Sequence, residues 1–112
     1  MRLDAYTLVL LRRPGNAAVM SEAALEALQR EHVAFNTRMR EEGHALVSGP
    51  FAGQPDESWR GISVFRTSVE ETRKLMAGDP SVRARRLEFD VFTWLMPAGS
   101  LGDRPAATIV ED

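Results

Sequence analysis

A chain of 112 residues has room for one hydrophobic core, and its 44% hydrophobic and 27% charged residues exclude the low-hydrophobicity composition of a disordered segment. Fourteen Lys and Arg against sixteen Asp and Glu leave a net charge of −2, which supplies no long-range field for a nucleic acid. The absence of cysteine excludes disulfides, thiolate nucleophiles and thiolate metal sites. The longest apolar run, Leu8 to Leu11, is too short to cross a bilayer, and the opening Met1-Arg2-Leu3-Asp4 lacks the apolar region of a signal peptide, so a cytoplasmic protein is expected.

Residues 5–12 form a β-rich run closed by the turn signal Arg13-Pro14-Gly15-Asn16. Ser21 stands as an N-cap before Glu22, and a helical pattern then runs on until Gly43. Within it Leu25, Leu28, His32, Phe35 and Met39 recur at spacings of three and four, which makes one inward stripe. His44 to Pro50 reads as a second strand, 52–58 as a loop and Gly61 to Arg66 as a third strand. Ser68-Val69-Glu70-Glu71 has the form of a capping box and opens a helix that breaks at Gly78. Asp79-Pro80 restarts a short helical turn, with Asp as N-cap and Pro where its missing N–H does no harm. The basic cluster Arg83, Arg85 and Arg86 near its end has two readings, an anion site or, more commonly for arginines near a helix end, a solvated face that complements the helix dipole. Leu87 to Met96 is the last strand, and residues 98–112 read as a tail after a domain of 1–97.

The order βαββαβ is the plan of a ferredoxin-like α+β fold, with a four-stranded antiparallel sheet and both helices on one face. The other face is apolar as well: Tyr6, Leu8 and Leu10 oppose Thr7, Val9 and Leu11, and Phe92, Trp94 and Met96 oppose Leu87, Phe89 and Val91. A sheet with two apolar faces needs two covers. The expectation is a homodimer that supplies the second, the alternative being the tail folded back with Ile109-Val110 as anchor.

His32 is the polar break in the inward stripe. Two readings stand on the residues alone: a core histidine bonded to a backbone carbonyl, or a partly desolvated general acid/base. His44 follows Gly43 at a strand start and receives no role. Two histidines twelve positions apart, without cysteine, do not make a zinc site, and no metal is expected. Asp79 alone is explained as a cap. There is no G-x-S-x-G elbow to activate Ser48 in Ser48-Gly49-Pro50, and no dinucleotide or phosphate loop, so no cofactor is expected.

Four motifs in order carry a resemblance: Glu31-His32-Val33-Ala34, then Glu42-Gly43 with Ser48-Gly49-Pro50-Phe51, then Ala77-Gly78-Asp79-Pro80-Ser81-Val82, then Glu88-Phe89-Asp90-Val91-Phe92-Thr93-Trp94. Across about residues 5 to 97 the chain resembles the YCII-related (YciI-like) family. That resemblance implies a ferredoxin-like subunit assembled as a dimeric α+β barrel, and a site built on a first-helix histidine and the aspartate of the D-P motif, here His32 and Asp79. The family's D-P is commonly followed by an aromatic residue, where this chain has Ser81-Val82. With His32 as general acid/base and Asp79 as its orienter, the expected chemistry is elimination, isomerisation or a similar proton transfer on a small organic molecule, aromatic or quinone-like. Candidate substrate contacts are Ser48, Phe51, Trp59 and Trp94, with Phe92 as a further wall. The rival readings are a non-catalytic small-ligand domain and a cofactor-free monooxygenase-like barrel.

Overall fold

A computed structural model describes residues 1–102 and 104–110. The elements are β1 (Arg2–Arg12), α1 (Glu22–Glu41), β2 (Ala45–Pro50), β3 (Trp59–Phe65), α2 (Val69–Met76), α3 (Pro80–Arg83), β4 (Glu88–Pro97) and β5 (Ala107–Val110). The expected βαββαβ order is present, and the sheet runs β2-β3-β1-β4 with every pair antiparallel.

The sheet has five strands rather than the expected four. β4 pairs with β1 from Leu3 to Arg12, whereas β3 reaches only Thr7 to Arg12 on the other side. The first residues of β1 are left with an open edge, and β5 fills it, with Arg2 opposite Val110 and Ala5 opposite Ala107. The buried Asp4 carboxylate ties this segment down, accepting from the Gly99 amide at 2.8 Å and from the Thr108 hydroxyl at 3.3 Å. Ile109 and Val110 therefore extend the sheet in its plane and do not cover its second face.

Local signals hold the helices where the sequence puts them. The Ser21 hydroxyl accepts from the Ala24 amide and the Ser68 hydroxyl from the Glu71 amide, each satisfying an amide that has no partner within its helix. Gly43 ends α1 with φ at +80°, a backbone conformation that a side chain strains.

The odd-numbered positions of β1 face the helices. Val9 and Leu11 join Phe65, Val91 and Ala45 against Phe35 and Met39 of α1 and Met76 of α2. Each fully buried side chain of this size contributes about 1.5–3 kcal/mol of hydrophobic stabilisation. The even-numbered positions form a second cluster on the opposite face, Tyr6, Val64 and Met96 with Leu8 and Leu46 packed on them. Cross-strand pairs Leu8–Phe92 and Tyr6–Trp94 belong to this face, and Phe92 and Trp94 keep 47% and 44% of their surface exposed. The two-faced pattern of the sequence is thus present in the sheet.

Candidate active site

His32, Phe35 and Met39 are the buried positions of α1, which makes the histidine part of the inward stripe. α1 packs against α3, and at the start of α3 stands Asp79, fully buried. As N-cap, Asp79 uses Oδ1 to accept from the Ser81 amide at 2.9 Å. A carboxylate has acceptor capacity to spare after capping one amide. The His32 ring takes it: Nδ1 lies 2.8 Å from Oδ2 and 3.0 Å from Oδ1. Gly78 breaks the chain immediately before Asp79, and the Asp79 amide donates back to the Met76 carbonyl, so the end of one helix aims the cap of the next.

An ionised carboxylate only accepts, so the proton of the neutral ring sits on Nδ1 and the lone pair on Nε2. One turn further along α1, the Asn36 amide nitrogen lies 3.4 Å from Nε2 and is placed to donate to that lone pair. If the ring gains a second proton, a flip of the Asn36 amide presents its oxygen instead. The pair can therefore hold either protonation state of His32 without leaving a buried donor against a donor.

His32 and Asn36 form part of the wall of a cavity of about 510 Å³, which opens between α1 and the β2–β3 end of the sheet. Leu11, Leu25 and Leu28 give it an apolar side, and Ser63 and Ser81 give it hydroxyls. Such a volume suits a small organic molecule. Among the described residues, no three His, Cys, Asp or Glu side chains gather where they could hold a metal ion.

The other sequence candidates are dispersed. Ser48 is half-buried on the helix-facing side of β2 and accepts from the Ser63 hydroxyl at 3.1 Å, one residue behind the cavity wall. Phe51 follows β2, half-buried, with its amide bonded to the Arg60 carbonyl, outside the cavity lining. Trp59 is 40% exposed where a register shift between Leu11 and Arg12 disrupts the β1–β3 ladder, and it too lies outside the lining. Trp94 and Phe92 stand on the opposite face because they pair with Tyr6 and Leu8. Within a single chain they cannot reach a ligand at His32.

Sequence reasoning missed Asn36, although its position four after His32 places it on the same helix face. It also missed Arg13 and Arg60, which line the cavity together with Arg86 from three separate segments. Arg86 belongs to the basic cluster read as an anion site or a solvated face; its guanidinium donates to the Ala18 carbonyl at 3.1 Å, while Arg83 and Arg85 are exposed to solvent.

No known family model matches the chain, and no curated protein matches it in sequence. A solved enzyme shares its fold. It is the 5-chloro-2-hydroxyhydroquinone dehydrochlorinase TftG from Burkholderia phenoliruptrix AC1100, determined in complex with 2,5-dihydroxybenzoquinone. The TM-score is 0.57 over 88% of this chain and 99% of that one, at 14% identity. At that identity the likeness is one of fold, and it agrees with the small α+β architecture expected from the order of elements. Among the described residues no helix is long and apolar enough to cross a membrane.

Proposed function

We propose that the protein is a YCII-related enzyme that moves a proton on a small organic substrate, with His32 as general acid/base and Asp79 as its orienter. The observation that carries this reading is the 2.8 Å bond between His32 Nδ1 and a fully buried Asp79 carboxylate, at the wall of a cavity large enough for such a substrate. The carboxylate fixes the tautomer that aims the Nε2 lone pair away from Asp79, and it stabilises the imidazolium once Nε2 takes a proton. In an elimination, Nε2 removes a C–H or O–H proton, the electron pair closes a new double bond, and the leaving group departs with its own pair. In an isomerisation, the imidazolium returns the proton at a second carbon. The shared fold with a dehydrochlorinase supports the first alternative. We assign the protein to the cytoplasm, in keeping with its cysteine-free composition.

The test is incubation with 5-chloro-2-hydroxyhydroquinone, followed by chloride release, and with 2,5-dihydroxybenzoquinone in D₂O, followed by loss of its ring proton signal. His32→Ala should lower either rate by about 10²–10⁴-fold while the amide spectrum stays dispersed. Full activity in a folded His32→Ala protein would refute the role of His32. Probes that bind and are recovered unchanged, without exchange, would favour the ligand-binding domain instead.

The assembly proposed with this reading is a homodimer in which the second face of the sheet, with Phe92 and Trp94 at 47% and 44% exposure, meets the same face of a second copy. Light scattering at micromolar concentration should give twice the chain mass, and Trp94→Glu should reduce it to one. A single-chain mass for the unaltered protein overturns the dimer.

A further inference from the structure

Three guanidinium groups border the cavity. Arg13 follows the end of β1, Arg60 lies at the start of β3 and Arg86 follows α3. None of them has a carboxylate within 4.0 Å among the described residues, in contrast to the neighbouring Arg12, which bonds Asp90 at 2.9 Å and reaches Glu88 at 3.3 Å. Arg13 loses proton affinity, first because the wall strips part of its solvent and then because Arg60 and Arg86 repel its charge. The charges that bear on it are other arginines. Glu22 and Glu26 line the same cavity from the first turns of α1, yet neither forms an ion pair with the three. An acidic chain with a net charge of −2 thus concentrates unpaired positive charge at one cavity.

Three arginines against two glutamates that form no ion pair with them leave this wall with an excess of positive charge, which costs stability in the empty protein and is relieved when an anionic ligand binds. We propose that the substrate is a small organic acid whose carboxylate is held by Arg13, Arg60 and Arg86 while its reacting carbon lies at His32. The guanidinium fork suits a planar carboxylate through paired N–H donors. The apolar wall of Leu11, Leu25 and Leu28 accepts the carbon skeleton between the two ends. A fixed anionic end also accounts for how a cavity of about 510 Å³ would keep a smaller molecule in one orientation toward Nε2. This inference rests on the acid/base reading for its reacting end, but the anion site itself can be tested without turnover.

The probes are salicylate and its neutral amide, salicylamide, titrated into isotope-labelled protein while the amide resonances of Asn36, Gly61, Ser63 and Ser81 are followed. Salicylate should shift them saturably and salicylamide should not. Arg13→Gln and Arg60→Gln should each weaken salicylate binding by about tenfold, and Glu26→Gln should leave it unchanged or tighter. Arg86 is left intact in this test because its bond to the Ala18 carbonyl joins segments 68 positions apart, whereas the bond of Arg60 to the Glu57 carbonyl at 3.0 Å is local and exposed. Equal binding of the two probes, no saturable shift with salicylate, or salicylate binding untouched in both arginine variants would overturn the proposal. Salicylate binding through the arginines in a protein whose His32→Ala variant retains full activity would leave the anion site standing and remove the acid/base reading; the reverse result would remove only the anion site.

Discussion

Replacing Asp79 with Asn changes one atom, and the geometry dictates the consequence. The remaining amide oxygen of the substituted side chain can keep the Ser81 amide that Oδ1 now accepts at 2.9 Å, which leaves an NH₂ group where Oδ2 stands 2.8 Å from His32 Nδ1. Two donors then face each other, so the ring must move its proton to Nε2 and accept on Nδ1. The charge-assisted bond becomes a neutral one, a loss of about 1–2 kcal/mol of folding stability. Asp79→Ala goes further: it leaves the His32 Nδ1–H and the Ser81 N–H buried without an acceptor and removes the cap of α3, for about 3–5 kcal/mol. Urea denaturation measures both losses, and ring ¹⁵N shifts of His32 report the tautomer. The Nε2–H form should replace the Nδ1–H form in Asp79→Asn, and proton transfer at Nε2 should fail with it. A ring that keeps its proton on Nδ1, or an Asp79→Ala protein as stable as the unaltered one, would refute the orienting role proposed for Asp79.

Other perturbations test the walls and the sheet. A Cβ at position 61 would lie 2.5 Å from the Gly49 carbonyl oxygen and 3.2 Å from the Pro50 Cα, both backbone, so Gly61→Ala should push β2 from β3 at the cavity wall and lower stability by about 1–3 kcal/mol, measured by denaturant midpoint. Asp4→Ala removes the acceptor of Gly99 and Thr108, and hydrogen exchange across residues 107–110 should quicken while that of α1 does not. The Asp56 carboxyl, held below the ordinary aspartate range by the Ser58 hydroxyl at 2.7 Å and then by the Ser58 amide at 2.9 Å, should titrate upward in Ser58→Ala but only part of the way, since the amide remains. Because the folded value is the lower one, this interaction is complete above the unfolded carboxyl range and disappears as pH falls through the folded value; carboxyl ¹³C titration reads it directly.

Much of the fold was legible because its signals are local. Ser21 and Gly43 bracket α1, Ser68 opens α2 and Asp79-Pro80 opens α3, each through bonds within a few residues. His32 could be singled out by period alone, yet its partner could not. Asp79 is the N-cap that its neighbours suggest, and nothing within reach of the local chain says that the same carboxylate serves a ring 47 positions away; the resemblance to a known family supplied that pairing. β5 was missed for a related reason. A short Ala107–Val110 segment becomes a strand only because β3 leaves the first residues of β1 with an open edge, a fact about strand lengths elsewhere. Trp94 shows the limit of alternation: period two sorts residues into faces without saying which face holds the cavity. The three arginines carry no common pattern at all, because only the ends of β1, β3 and α3 bring them to one rim.

The β1–β5 ladder also sets how the molecule yields to force. Arg2 and Val110 face each other at its open end, so a pull applied through these two residues loads the bonds one after another, as a zipper is drawn, instead of sharing the load among them. β5 should peel first and gently. β1 remains clamped to β4 from Leu3 onward, in a ladder ten residue pairs long, so the cavity and its His32–Asp79 pair outlast the detachment of the strand that ties the two ends together.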